Sequence, residues 1–292
     1  MSPTLGFGEL DLLAPLLDSG CLSVGRWIAR RFPDGEQLLR LASEVAGRDV
    51  VVAARLNDPD HKLIGATMAA DTLRRAGARR VLLAAPYLPY LRQDEQFRSG
   101  ESVGSAYLAK LLPNWFDGLA TVDPHLHRTP DLSALFGDWP ALHASAAPAL
   151  GDWARKHAAG ATIVGPDEES HQWAVLAAQR SQSHWTVMDK VRHGDADVRV
   201  ACGSTDDLSG DVVLVDDIIS TGATLVAAAG VVKACGGRVI ACVAVHGIFA
   251  PGAVERLHAA GLHQIVTTSS VVGPSSIIDV APALCDAVEQ LL

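Results

Sequence analysis

One segment in the second half of the chain constrains the fold most: four apolar residues, then two acidic residues, then a turn of small residues. The apolar run at residues 212–215 predicts a strand that is buried on both faces, as in a parallel sheet. Residues 225–234 predict the helix that follows. The turn between them is therefore expected at the carboxyl end of a sheet strand and at the start of a helix.

This turn has the features of an anion-binding site. A helix N-terminus presents free N–H groups and roughly half a unit of positive charge. The residues that would supply N–H groups and hydroxyls are Ser220, Thr221, Gly222, Ala223 and Thr224. Asp216 and Asp217 would repel a bare phosphate, so we expect them to bind ribose hydroxyls or Mg²⁺, which prefers oxygen ligands. The pattern predicts a sugar phosphate as ligand. The alternative is an ordinary helix N-cap, which accounts for the hydroxyls alone.

The same segment resembles a known motif. Two acids after an apolar strand, followed by Thr-Gly-x-Thr, are similar to the phosphoribosyl-diphosphate motif of the phosphoribosyltransferase-like superfamily. That motif is shared by the enzymes that consume phosphoribosyl diphosphate and the enzyme that makes it. Four other segments separate the two groups: RFPDGE at 31–36, PYLPYLRQD at 86–94, VDPH at 122–125 and MDKVR at 188–192. In sequence and order they resemble signatures of the ribose-phosphate diphosphokinases.

The resemblance implies a fold and an activity. The implied fold is α/β, with two similar phosphoribosyltransferase-like domains, each a mainly parallel sheet flanked by helices. The residue pattern agrees, because strand and helix signals alternate along the chain. Residues 128–149, rich in Pro and Ala, are predicted to be a loop between domains of residues 1–145 and 146–292. The implied reaction transfers the diphosphoryl group of ATP to the 1-hydroxyl of ribose 5-phosphate and releases AMP, for nucleotide biosynthesis.

Local signals place several elements. Asp58 is the expected N-cap of a helix that begins at Pro59 and ends near Ala76, with Gly77 as a left-handed cap. Another helix is predicted at about residues 170–180. The predicted strands cover residues 50–54, 81–85, 119–122, 162–164, 185–188 and 239–245.

The transferred group requires positive charge. Phosphoryl transfer depends mainly on positioning and charge neutralisation, so cations should dominate the site. By resemblance, Lys190 and Arg192 stabilise the transition state. By residue type alone they are exposed side chains of a polar, mobile loop over residues 191–204. Both descriptions fit a lid, because lids are drawn from mobile segments.

Two further residues are candidate Mg²⁺ ligands. His125 and Asp167 each follow a predicted strand, where ligands bind in open α/β sheets. By resemblance they share a Mg²⁺ that is held mainly by phosphate and water; His127 is an alternative to His125. The chain departs from the family after Asp167, where residues 168–170 read Glu-Glu-Ser in place of a segment that contains two glycines.

The nucleotide site is expected on two other segments. By resemblance, Phe32, Asp34 and Glu36 hold adenine, whereas Arg92 and Gln93 contact the phosphates and ribose of ATP. In the family the adenine segment reaches a neighbouring subunit, so a homo-oligomer with this segment at a subunit interface is implied. The alternative is an ordinary Pro-Asp-Gly turn with a buried Phe32.

Composition excludes several classes of function. A formal net charge of −9 argues against nucleic-acid binding, which needs basic patches. No apolar run reaches the roughly 20 residues of a membrane span, and the N-terminal residues lack the basic flank of a signal peptide, so a cytoplasmic location is expected. The cysteines are odd in number and form no C-x-x-C pair, which argues against a disulfide framework or a zinc site.

Two alternative functions stay open at this point. A phosphoribosyltransferase would use the same turn to bind phosphoribosyl diphosphate, although it would not need the segments at 31–36 and 86–94. A catalytically silent, regulatory synthetase-like subunit is suggested by Glu168 and Glu169. Retention of Lys190 and Arg192 argues against it. Release of AMP from ATP and ribose 5-phosphate, with no base added, would separate the three.

Overall fold

The structure, a computed structural model, describes residues 4–126, 131–192, 198–201 and 208–292. For residues 189–192 and 198–201 this description covers the backbone. The chain divides into two compact units. The first contains Met1–Ala144 and Val280–Leu292, and the second contains Ser145–Asp279.

The first unit is built around a parallel sheet. Its strands and the hairpin beside it are β1 (Thr4–Gly8), β2 (Leu22–Val24), β3 (Trp27–Arg31), β4 (Gln37–Leu41), β5 (Asp49–Ala53), β6 (Arg80–Ala85), β7 (Gly118–Val122) and β8 (Ala141–Ala144). Among the described residues the sheet order is β2-β1-β5-β6-β7-β8, with parallel pairing throughout. Every residue of β5 and β7 is buried, which is why, apart from Asp49 and Thr121, their sequences are apolar rather than alternating.

Helices cover this sheet. They are α1 (Ala14–Asp18), α2 (Pro59–Arg75), α3 (Gly104–Leu111) and α4 (Leu132–Phe136). The start of α2 at Pro59 is as predicted, and Asp58 occupies the N-cap position, but with a left-handed backbone and without a side-chain capping hydrogen bond. Gly77 is left-handed, with φ of 86°, as expected just beyond the end of a helix. The main core of the unit packs Leu63, Leu73 and their neighbours on α2 against the sheet.

An antiparallel hairpin of β3 and β4 stands beside the sheet. The sequence did not predict these strands. Trp27 and Leu41, which pair at the base of the hairpin, both pack on the core of the first unit. The opposite end of the hairpin carries residues 32–36, which we call the adenine loop after the role that the family resemblance implies.

The second unit repeats this arrangement. Its strands are β9 (Thr162–Gly165), β10 (Trp185–Val187), β11 (Asp189–Arg192), β12 (Val198–Ala201), β13 (Asp211–Ile219), β14 (Arg238–Gly247), β15 (Ile265–Thr268) and β16 (Ser276–Ile278). Its helices are α5 (Ala147–His157), α6 (His171–Ser181), α7 (Ala223–Ala234) and α8 (Ala253–Ala259). The described strands of its sheet run in the order β10-β9-β13-β14-β15-β16, again all parallel. Two similar, mainly parallel α/β domains are therefore present, as predicted.

Three predictions about segments were wrong. Residues 128–149 are not simply a loop, because α4, β8 and the start of α5 lie within them. Residues 191–204 were expected to be a loop, but β11 and β12 form an antiparallel pair there. The strand predicted at 212–215 extends to Ile219, so Asp216 and Asp217 lie within β13 rather than after it.

The last helix, α9 (Ala281–Leu291), belongs to the first unit. It packs against β7 and β8, and Arg80 of β6 donates hydrogen bonds to the carbonyls of Leu291 and Leu292, at 3.0 and 3.1 Å. The sequence assigned all of residues 146–292 to the second domain, and α9 is the exception. The sequence of α9 shows that one face is apolar, but no residue pattern near it indicates which of the two sheets that face covers. No helix in the described part of the chain combines the length and apolar character of a membrane span.

Candidate active site

The carboxyl end of β13 carries two buried or half-buried carboxylates. Asp217 is 6% exposed, and its backbone N–H donates to Oδ1 of Asp216 at 3.0 Å. Burial, and then the nearby charges of Asp217 and Asp167, raise the pKa of Asp216 well above its ordinary value. These three carboxylates therefore repel one another in the absence of a cation.

Asp167 lies at the end of the neighbouring strand. It follows β9, which pairs with β13, and it is buried. The hydroxyl of Ser170 accepts a hydrogen bond from the Asp167 N–H and donates one to the Asp167 carbonyl. Ser170 thus closes the short turn after β9. Glu168 and Glu169 are exposed, so solvent screens their charges.

These carboxylates are suited to a divalent cation. A bound Mg²⁺ would relieve their mutual repulsion, and carboxylate oxygens are its preferred protein ligands. Within the described ranges, no three His, Cys, Asp or Glu side chains are already arranged as a metal site. His125 lies after β7 in the first unit, whereas Asp167 lies in the second. That His125 and Asp167 share one ion stays a prediction, and His127 lies outside the described residues.

The turn after β13, which we call the phosphate loop (residues 220–224), has its carbonyl groups held from one side. The N–H groups of Ile248 and Phe249 donate to the Ile219 carbonyl, both at 3.0 Å. The Ala250 N–H donates to the Ser220 carbonyl at 3.0 Å. A guanidinium N–H of Arg256, on α8, donates to the Thr221 carbonyl at 2.6 Å.

This pattern orients the peptide groups of the phosphate loop. In a trans peptide the C=O and the following N–H point in opposite directions. With the carbonyls of residues 219–221 directed at residues 248–256, the N–H groups of Ser220, Thr221 and Gly222 point away from that segment. The arrangement is a row of parallel donors at a helix start, which is suited to a phosphate group.

Gly222 is required by the backbone at this position. It is the N-cap of α7 with φ of 76°, a conformation that L-residues rarely adopt. A Cβ atom there would lie 2.9 Å from Cγ of Leu257. The side of the loop that faces α8 is thus tightly packed, and Thr221 and Ala223 are exposed on the loop.

For the two predicted catalytic residues, the structure describes only the backbone. Lys190 and Arg192 lie on β11, opposite Val200 and Val198 of β12. Their side chains are outside the described part of the chain, so their role stays a prediction.

The adenine loop is a tight turn at the end of the hairpin. The N–H of Gly35 donates to the Phe32 carbonyl at 2.9 Å, and the carboxylate of Asp34 accepts from the Glu36 N–H at 3.1 Å. Phe32 is half-exposed, with the Arg30 guanidinium 4.9 Å from its ring centre. The alternative of a buried Phe32 is therefore wrong. Its ring and the exposed carboxylates of Asp34 and Glu36 are available to a ligand.

The predicted nucleotide segment at residues 86–94 is attached to two helices. The Tyr90 hydroxyl donates to the carboxylate of Asp60 in the first turn of α2. The Gln93 carbonyl accepts from the Ser105 N–H of α3 at 3.2 Å, and its side chain lies so close to Gly104 that a Cβ there would be 2.9 Å from Oε1. Arg92 and Gln93 are exposed.

Three residues of these sites were not predicted from the sequence to act there. Arg256 holds the phosphate loop, Tyr90 holds the segment with Arg92 and Gln93, and the side chain of Gln37 holds the hairpin. Tyr90 stands in a recognised signature and was detectable. The other two contact residues that are 24 or more positions away, so no local pattern identifies them.

The structure thus groups the predicted residues within its two units. The second unit brings together Asp167, Asp216, Asp217 and the phosphate loop. The first unit carries the adenine loop, the segment with Arg92 and Gln93, and His125.

Comparison with known proteins gives consistent matches for both units. Residues 14–115 match a family described as the N-terminal domain of ribose phosphate pyrophosphokinase. Residues 139–269 match a family described as the phosphoribosyl transferase domain.

Similar proteins cover nearly the whole chain. A ribose-phosphate pyrophosphokinase of Methanopyrus kandleri is 34% identical over 263 residues, covering 89% of this chain and 89% of that protein. Another, of Methanothermobacter thermautotrophicus, is 32% identical and covers 95% of both chains. The crystal structure of phosphoribosylpyrophosphate synthetase from Mycobacterium smegmatis superposes with a TM-score of 0.79 at 25% identity, over 99% of this chain and 98% of that one. Pyrophosphokinase and diphosphokinase are two names for one activity, and this chain belongs to the ribose-phosphate pyrophosphokinase family.

Proposed function

We propose that this chain transfers the diphosphoryl group of ATP to the 1-hydroxyl of ribose 5-phosphate, giving 5-phosphoribosyl 1-diphosphate and AMP. The full-length relationship to proteins of that name carries the proposal. The carboxylates and phosphate loop of the second unit supply a site for the acceptor. The adenine loop and the segment with Arg92 and Gln93 supply groups for the donor.

Ribose 5-phosphate binds at the carboxyl end of β13. The N–H groups of the phosphate loop, with the hydroxyls of Ser220, Thr221 and Thr224, bind the 5-phosphate at the start of α7. Asp216 and Asp217 lie on β13, just before the phosphate loop, and accept hydrogen bonds from the ribose hydroxyls. Because carboxylates repel phosphate, this order fixes the direction of the sugar, with its phosphate on the loop and its hydroxyls on the acids.

ATP binds through the first unit. Adenine stacks on Phe32, and the carboxylates of Asp34 and Glu36 accept from its amino group. Arg92 and Gln93, held by α2 and α3, contact the ribose and phosphates. As the family resemblance implies, the adenine loop reaches the ATP site of a neighbouring copy of the chain in a homo-oligomer.

The transition state requires neutralisation of the transferred group. Lys190 and Arg192 are the proposed cations, because groups aimed at developing charge lower the barrier more than they strengthen substrate binding.

Bound Mg²⁺ would neutralise phosphate oxygens, with His125 and Asp167 as its protein ligands. Glu168 and Glu169 are exposed, so solvent screens their charges, which supports an active enzyme over a silent subunit. The reaction uses cytoplasmic metabolites, and we propose a cytoplasmic location.

The proposal is tested by incubating the purified chain with ATP, Mg²⁺ and ribose 5-phosphate and measuring AMP. AMP should form only when all three are present, with no nucleobase. A phosphoribosyltransferase would need phosphoribosyl diphosphate and a base, and a silent subunit would make no AMP. Lys190→Ala, purified in the same way, is the control for contaminating enzymes, and its turnover should fall about 100-fold or more, as for loss of an electrostatic catalyst.

A further inference from the structure

The hairpin that carries the adenine loop is firmly packed at its base. There Trp27 stacks on Phe7, with ring centroids 5.2 Å apart and an angle of 29° between the planes. A cavity of about 230 Å³ lies beside the hairpin, lined by Ala29 and Leu39 of the hairpin and Ala66 and Ala69 of α2, and also by Trp27 and the carboxyl ends of β1 and β5. Trp27 and Leu41 at the base pack on the core of the first unit. Apolar packing therefore fixes the base of the hairpin more completely than the end with the loop.

Gln37 attaches that end to α2. It is the first residue of β4, directly after Glu36, and pairs with Arg31 to close the hairpin. Its side-chain Nε2 donates to the carbonyl of His61 in the first turn of α2, at 2.9 Å. The bond joins residues 24 positions apart, and both residues line the cavity.

Gly65 makes room for this contact. It lies in the interior of α2, and a Cβ atom there would be 2.7 Å from Oε1 of Gln37. Glycine in a helix interior is unfavourable compared with alanine. Here the glycine permits the Gln37 amide to lie flat on the helix.

We propose that Gln37, lying on Gly65, is a positioning residue that fixes the hairpin so that the adenine loop presents Phe32, Asp34 and Glu36 to ATP. A two-stranded hairpin depends on packing against the rest of the protein for its stability, and Gln37 supplies such a contact near the end that carries the loop. The inference rests on the proposed role of the adenine loop. It adds a specific prediction: the position of one amide on α2 determines the KM for ATP and not that for ribose 5-phosphate.

The test uses Gly65→Ala, a change that favours the helix and disfavours the contact. The added methyl displaces the flexible Gln37 amide rather than any backbone atom. We expect the KM for ATP to rise about fivefold, the scale of the free energy of one hydrogen bond within the protein, while the KM for ribose 5-phosphate stays unchanged. The melting temperature should be equal to or above that of wild type. The matched control is Gly230→Ala in α7, where a Cβ meets open space.

Gln37→Ala completes a double-mutant cycle. It should raise the KM for ATP as much as Gly65→Ala does, and the double variant should show no further rise, because both changes remove one contact. Hydrogen exchange of residues 27–41 should be faster in both single variants than in wild type, whether or not ATP is present. That measurement requires no catalysis.

The outcomes separate this role from the proposed function. An unchanged KM for ATP in folded Gly65→Ala, or an equal rise in both KM values, would overturn the positioning role while AMP release by wild type still supported the proposed function. Additive effects of the two substitutions would also overturn it. If wild type releases no AMP, the proposed function fails and this role fails with it, although the exchange data would still report the contact itself.

Discussion

The guanidinium of Arg256 donates a hydrogen bond to the carbonyl of Thr221 at 2.6 Å, so a residue of α8 holds the phosphate loop from the side opposite its N–H groups. Arg256 itself is exposed and need not touch the phosphate. Its effect is to keep the Thr221–Gly222 peptide in one orientation, with the Gly222 N–H on the side proposed for the 5-phosphate. The charge of the guanidinium adds to the positive potential of the helix start.

Arg256→Met should weaken binding of ribose 5-phosphate. Loss of a charged hydrogen bond releases the Thr221 carbonyl, and we expect the KM for ribose 5-phosphate to rise about tenfold or more with little change in the KM for ATP. Steady-state kinetics with each substrate varied in turn is the measurement. Arg238→Met is the control, since Arg238 pairs with Asp211 at the opposite end of β13. Equal KM values in Arg256→Met and wild type would contradict the orienting role.

Gly222→Ala should abolish most binding of ribose 5-phosphate. Alanine there must adopt a left-handed backbone, and its Cβ would contact Cγ of Leu257, so the loop or Leu257 must shift. Gly252→Ala is a closely matched control, because Gly252 is also an N-cap with φ of 76° but faces open space. Both variants carry the same backbone strain, and the Gly222 variant alone should lose affinity. Calorimetric titration of folded protein with ribose 5-phosphate, Mg²⁺ and a non-hydrolysable ATP analogue decides the matter. Wild-type affinity in Gly222→Ala would show that the phosphate loop does not bind ribose 5-phosphate.

The sequence was most informative where function depends on contiguous residues. The phosphate loop, with Asp216 and Asp217 before it, lies at the predicted strand-to-helix junction because buried apolar runs and helix starts are local signals. The strand continued to Ile219 because pairing with β14 extends it beyond its apolar run. Arg256 was not predicted, since its contact depends on how residues 248–256 return past the end of β13.

The hairpin shows the opposite case. Strand β3 is mostly exposed and rich in Arg, which gave no strong strand signal, and its stability depends on Trp27 reaching Phe7. The family resemblance predicts a role for Phe32, Asp34 and Glu36 but does not reveal the element that carries them. The assignment of α9 to the first unit likewise depends on contacts with residues far earlier in the chain, such as Arg80.

Asp216→Asn should be more stable than wild type at neutral and alkaline pH in the absence of metal. Burial, then Asp217, then Asp167 raise the pKa of Asp216 above the ordinary 3.8, so the folded protein holds the proton more tightly than the unfolded chain does. The stabilisation is present below the ordinary pKa and is lost as pH rises through the raised value. The amide keeps an acceptor for the Asp217 N–H. Thermal unfolding in chelator should show a higher melting temperature for the variant at pH 8 and equal values near pH 4, by this linkage. A variant that is less stable at pH 8 would contradict the repulsion among these acids.

Tyr90→Phe should weaken ATP binding. The hydrogen bond to Asp60, with burial, raises the pKa of Tyr90 to about 12, so the hydroxyl remains a donor throughout the working pH range. Its loss frees the segment that carries Arg92 and Gln93, and the KM for ATP should rise by a factor of about five, the scale of one hydrogen bond. Tyr107→Phe, at an exposed position on α3, is the control. A rise confined to the KM for ribose 5-phosphate would show that this segment does not bind the nucleotide.

The reaction itself is tested most directly by following the phosphorus atoms. The purified chain is incubated with Mg²⁺, ribose 5-phosphate and ATP, and the products are identified by ³¹P nuclear magnetic resonance. Transfer of the intact diphosphoryl group should give AMP and a diphosphate on C1 of the sugar in equal amounts, while the 5-phosphate signal of ribose is retained. Formation of ADP with a singly phosphorylated C1, or no reaction until a nucleobase and phosphoribosyl diphosphate are supplied, would contradict the assignment.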